Sequence, residues 1–153
     1  MDLNTLGIPN LKALSPEIWT GGQPTPDQLR QAQAAGLRSV ISLCPHGECG
    51  WDEGKFVTDL GMTAHTLPVG AACDLSVSAA HALHDLLDDV PKPVLVHCGS
   101  SNRVGALFAL KSHFVEGHSY DAALAHGRDA GLTGLEATVR DLMTQANAGE
   151  SHD

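Results

Sequence analysis

The stretch VLVHCGSSNRVGALFAL, residues 94–110, decides how the chain folds and where its chemistry sits. An apolar run ends at His97 and Cys98, four small or polar residues follow, and Arg103 opens a helical pattern. A short apolar run, a tight loop and a helix start read together as a buried strand feeding a helix N-terminus. At such a junction consecutive main-chain N–H groups, here those of Gly99, Ser100, Ser101, Asn102 and Arg103, can turn inward as an anion nest. The helix dipole adds partial positive charge at the same point. Gly99 allows close backbone approach, and Ser100, Ser101 and Asn102 tolerate tight turns. Arg103 offers a planar fork of donors suited to an oxyanion. A thiol in that field is expected to ionise readily and to act as a thiolate nucleophile. The plainer alternative is a buried structural cysteine beside an unrelated surface arginine. The coincidence of thiol, glycine, small polar residues, arginine and helix start counts against it.

Outward from this junction the chain alternates strand and helix patterns. EIWTGG (17–22) reads as a first strand ending in glycines. TPDQLRQAQAAGL (25–37) reads as a helix with Thr25 as N-cap, Pro26 at the first helical position, Gln28 closing a capping box and Gly36 as the stop. Residues 38–44 form a buried strand, 51–61 a helix, 63–69 a strand, 75–90 a helix and 92–97 the strand of the opening stretch. Helices follow over 103–117, 119–131 and 133–148, the last with a second capping box from Thr133 and Glu136. This alternation predicts an α/β fold: a mainly parallel central sheet with helices on both faces, one domain over residues 1–147, and a disordered tail at 148–153. In such sheets ligands bind beyond the carboxyl ends of the strands, where Cys98 falls.

Composition narrows the function. A length of 153 residues suits one core, and a formal net charge of −9 argues against a nucleic-acid partner. No apolar run approaches the roughly 20 residues that span a bilayer, so no membrane partner is expected. The start lacks a basic segment followed by an apolar one, which makes the cytoplasm the expected compartment, or the periplasm if a signal peptide has been removed. Four cysteines, Cys44, Cys49, Cys73 and Cys98, are too few and too loosely spaced for a disulfide framework.

His97, Cys98 and Arg103 resemble the phosphate-binding loop of cysteine-dependent protein tyrosine phosphatases. WTGGQPTPDQLRQAQAAGLRSVISL (19–43), LPV (67–69) and PVLVHCGSSNRVGALFAL (93–110) together look more narrowly like the bacterial phosphatase-like domain first described in beta-lactamase-hydrolase-like proteins. The resemblance covers about residues 8–115. It implies a protein tyrosine phosphatase-like fold, Cys98 as nucleophile, Arg103 with the loop amides as the oxyanion site, and His97 as a loop-shaping residue bonded to backbone rather than a general base. Two departures stand out. The resembled phosphatase loop has five residues between cysteine and arginine, and here there are four, Gly99 to Asn102. A hydroxyl residue usually follows the arginine, and here Val104 does. The shorter spacing is shared with rhodanese-type sulfurtransferases and with members of the bacterial subfamily. A phosphoryl group needs donors for three oxygens, whereas a persulfide sulfur is one large atom, so a lost N–H weakens phosphate binding more.

Phosphoester cleavage needs a general acid for the leaving oxygen. In the resembled phosphatases it is an Asp on a loop before the Cys, and Asp74 in GAACD (70–74) is the first candidate. Asp74 would serve equally as the N-cap of the helix that follows. Glu48, Asp52 and Glu53 rank below it. Cys44, Cys49 and Cys73 fall near the same sheet edge as Cys98 and are candidates for a resolving or sulfur-accepting thiol, against the simpler reading of incidental cysteines. Cys44, His46 and Cys49 are irregularly spaced with no second cysteine pair, so no metal is expected. His81 and His84 read as a helix face. GGQP (21–24) reads as a turn that supports the core, and Trp19 and Trp51 as core or pocket-rim residues. Three functions therefore stand. The first is a phosphatase acting on a phosphomonoester, either a small anionic molecule or a phosphoprotein, through a cysteinyl-phosphate at Cys98 without a cofactor. The second is a sulfurtransferase carrying a persulfide on Cys98, and the third a non-catalytic anion-binding module.

Overall fold

The computed structural model describes residues 3–45, 52–70, 74–99 and 101–151. Its sheet has five strands: β1 (Lys12–Ala13), β2 (Ile18–Gly21), β3 (Ser39–Ser42), β4 (Thr63–Thr66) and β5 (Val94–His97). They lie in the order β1-β2-β5-β3-β4, all parallel except β1, which pairs antiparallel with β2. The two central strands β3 and β5 are buried at every position, as both-face-covered parallel strands should be. The expected mainly parallel sheet is thus present, with one addition. The two exposed residues of β1 carry no strand pattern and pair only because the chain folds back on β2.

Among the described residues six helices cover the sheet: α1 (Pro26–Ala34), α2 (Glu53–Asp59), α3 (Val77–Asp89), α4 (Asn102–Phe114), α5 (Tyr120–Asp129) and α6 (Glu136–Ser151). Side-chain alternation along the strands sorts the core into two halves. Val94, Val96 and Cys98 join Leu83, Leu107 and Leu124 from α3, α4 and α5. Leu95 and Val40 face the other way and join Leu29 of α1 and Val57 of α2. α4 is buried continuously from Val104 to Leu110, as a helix enclosed by α3, α5 and α6 must be.

Local signals placed most helix ends. Thr25 and Gln28 form the expected capping box, and Gly36 adopts the left-handed φ of 115° that ends α1. The cap of α3 differs from expectation. Ser76, not Asp74, accepts the Ala79 N–H and starts that helix. The box expected from Thr133 and Glu136 is replaced as well. Glu136 turns to Arg128 and Arg140, and Asn102 of α4 accepts the N–H groups of Thr133 and Leu135. α6 runs to Ser151, into the segment 148–153 expected as a tail from its terminal position. Among the described residues no helix is long and apolar enough to cross a membrane.

His126 of α5 packs edge-on against Phe108 of α4, with ring centroids 5.9 Å apart. Burial holds its pKa below the usual 6.5, and Lys111 and His118 push the same way, while Glu116 and Asp129 oppose. The unfolded chain therefore binds a proton at this site more readily than the native one. The stability due to neutral His126 is complete above pH 6.5 and is lost as pH falls below it. Urea midpoints measured from pH 7.5 to 5.5 should fall, and His126→Gln should make that fall shallower.

Candidate active site

Cys98 is the first residue beyond β5, and its N–H donates to the Gly21 carbonyl of β2 at 3.3 Å. The side chain is fully buried, and its Sγ accepts the Ser101 N–H at 3.2 Å. Ser101 takes a left-handed φ of 77°, uncommon for a residue with a Cβ. The turn between α5 and α6 holds it there. Ser101 Oγ donates to the Ala130 carbonyl at 2.9 Å, and Gly131 has no side chain because a Cβ would lie 2.3 Å from that Oγ. Asn102 adds the two bonds to Thr133 and Leu135. The sulfur, one main-chain donor and the positive end of a 13-residue helix thus meet within one turn.

Arg103, in the first turn of α4, donates from Nη1 to the Val69 carbonyl at 2.7 Å. Asp74 is exposed, and its Oδ2 accepts the adjacent Gly70 N–H at 2.9 Å. Arg103 and Asp74 thus hold the C=O and the N–H of one peptide group, Val69–Gly70, which brings the two far-separated candidates to the same segment.

His97 shows the clearest departure from expectation. Its Nε2 meets Glu53 Oε2 at 2.6 Å rather than a main-chain group, and Nδ1 has no partner among the described residues. The imidazole is fully buried and Glu53 is 8% exposed. Glu53 Oε1 accepts from Gln23 Nε2 at 2.5 Å. Gln23 also donates its main-chain N–H to the Gly99 carbonyl at 3.2 Å. Gly22 leaves room for this, since a Cβ there would stand 2.8 Å from the Gly99 oxygen. GGQP therefore supports the Cys98 loop as well as the core. Glu53 and Gln23 were under-read in sequence because the signal is contact between positions 30 and 44 residues apart.

Cys44 is buried, unbridged by a disulfide, and its Sγ lies 3.6 Å from Gln23 Oε1. Asp52 caps α2 through the Lys55 N–H, and Trp19 is buried in the core. His84 lies 3.6 Å from Asp88 one turn along α3, and His81 is exposed. His46, Glu48, Cys49, Trp51, Cys73 and Ser100 lie outside the described residues. Among the described residues no group of three or more His, Cys, Asp or Glu side chains could hold a metal ion.

The fold is that of protein tyrosine phosphatase-like proteins. Among solved structures, the chain is similar to a DUF442 protein of Shewanella putrefaciens CN-32 assigned as a phosphatase, with 25% identity over 94% of each chain and a TM-score of 0.72. A protein of Neisseria meningitidis Z2491, also assigned as a phosphatase, aligns at 22% identity over 86% of this chain and 94% of that one, with a TM-score of 0.68. TpbA of P. aeruginosa, in complex with phosphotyrosine, aligns at 19% identity over 94% and 85%, with a TM-score of 0.65. No protein-family model and no curated protein matches the chain.

Proposed function

We propose that the chain is a cysteine-dependent phosphatase of the kind first described in beta-lactamase-hydrolase-like proteins, cleaving a phosphomonoester. The observation that carries this reading is the Ser101 N–H on Cys98 Sγ at the start of α4, two residues before Arg103. The Cys98 thiolate attacks phosphorus, the S–P bond forms, and the ester P–O bond breaks. Asp74 protonates the leaving oxygen. Water then attacks phosphorus, giving its proton back to Asp74, and the S–P bond breaks to release phosphate and regenerate the thiolate. Arg103 and the loop N–H groups bind the phosphoryl oxygens throughout. The substrate is an anionic small molecule or a phosphoprotein, and the reaction uses no cofactor.

Asp74→Asn is a clean probe, because the amide oxygen can still accept the Gly70 N–H. With an alkyl phosphate, whose leaving group needs a proton, kcat should fall about 10²-fold or more. With a nitrophenyl phosphate, whose leaving group departs unaided, the fall should be much smaller. Equal losses on both substrates would remove Asp74 from the acid role. The four-residue loop favours one rival, a sulfurtransferase with a persulfide on Cys98. Thiosulfate-to-cyanide transfer that depends on Cys98 and ignores Asp74 would replace the phosphatase reading.

A further inference from the structure

We infer that Glu53 is a positioning residue for the nucleophile, a single buried carboxylate that brackets Cys98 from both sides along the chain. Oε2 meets His97, the residue before Cys98, and Oε1 meets Gln23, whose main-chain N–H holds the carbonyl of Gly99, the residue after it. The nucleophile is thereby clamped at both flanks from the face of the sheet opposite its own side chain. His97 lies on the α1–α2 side with Leu95, while Cys98 belongs to the α3–α6 side. This inference rests on the reading of Cys98 as the reacting group.

Replacing a buried pair whole by apolar residues is often neutral, whereas removing one partner alone destabilises. Glu53→Leu removes both ties and takes the partner from buried His97 Nε2, so thermal unfolding is followed alongside each readout and Glu53→Gln is the milder variant. Glu53→Gln keeps the shape but offers only one acceptor oxygen, so it should retain part of the clamp. Displacing a reacting group by about 1 Å can cost about 100-fold in rate.

The test uses the full chain and two readouts. In the first, aryl phosphate hydrolysis, kcat should fall about tenfold in Glu53→Gln and about 100-fold in Glu53→Leu, with KM within about threefold of wild type. In the second, iodoacetamide labelling of Cys98 is followed against pH by peptide mass, which separates it from the other cysteines. Its midpoint should rise by about one pH unit in Glu53→Leu, equivalent to a tenfold change in thiolate fraction. Greater access alone would scale the labelling rate without moving the midpoint, and removing a negative charge alone would lower it. A rise therefore reports loss of the Glu53 ties to His97 and Gln23. An unchanged or lowered midpoint would overturn the inference, as would unchanged kcat in both variants. If Glu53→Leu fails to fold, the smaller change in Glu53→Gln decides the matter in the same directions. If the wild type hydrolyses no phosphate ester, the phosphatase reading fails, and the labelling midpoint still decides the role of Glu53.

Discussion

Cys98→Ser should abolish phosphate release, by about 10³-fold or more, with the fold intact. The serine hydroxyl is close in size to the thiol and can accept the same Ser101 N–H, so the loop keeps its shape. What it cannot do is ionise near neutral pH, and an unactivated hydroxyl is a poor nucleophile. The buried site has no described imidazole or carboxylate bonded to Cys98 Sγ to act as a base for it, since His97 is engaged with Glu53. Loss of a covalent nucleophile on this scale corresponds to about 4 kcal/mol of transition-state stabilisation. Stopped assays for inorganic phosphate, with thermal unfolding as the control for folding, would check this. Activity within about tenfold of wild type would remove Cys98 from the chemistry.

The second large effect is structural. Gly105→Ala should destabilise the protein by about 3 kcal/mol or more. A Cβ at Gly105 would stand 2.0 Å from Leu132 N, 2.5 Å from Leu132 Cα and 2.6 Å from the Gly131 carbonyl carbon. All three are backbone atoms, so no side chain can rotate away. The α5–α6 turn would have to move off α4, and that turn carries the Ser101 and Asn102 supports of the Cys98 loop. Tm should drop by roughly 6–12 °C for a chain of this size. Gly54→Ala supplies the contrast. It lies within α2 with no atom nearer than Asp52 Oδ1 at 3.9 Å, and the gain in helix propensity should stabilise by about 0.5–1 kcal/mol. A Gly105→Ala protein as stable as wild type would disprove the close approach of α4 to the turn.

Much of the fold was legible because its signals are local. Thr25, Pro26 and Gln28 mark a helix start within four residues, and VLVH marks a buried strand within four. Cys98, Arg103 and the helix start were legible as one loop for the same reason. Choices between near neighbours were harder. Asp74 and Ser76 are both good N-caps, and Ser76 won while Asp74 turned back to Gly70. Thr133 and Glu136 have capping-box spacing, but two arginines compete for the carboxylate and Asn102 reaches the turn from another helix. His97 was read as bonding to backbone because a carboxylate 44 residues earlier leaves no trace in the local pattern. Glu53, ranked as a lesser acid candidate, faces inward because α2 buries it one turn before Val57.

The strand order has a consequence for how the protein is made. β5 sits between β2 and β3, yet leaves the ribosome after both and after β4. Until residues 94–97 emerge, β2 and β3 each present an unsatisfied row of main-chain donors and acceptors toward an empty slot. The last strand to enter the sheet is the one that delivers the thiol, and its pairings span about 50 to 80 residues of chain. Such distant contacts slow folding and lengthen the exposure of open edges. The main-chain bonds that tie Cys98 to Gly21 and Gly99 to Gln23 therefore form only after the last strand has entered the sheet.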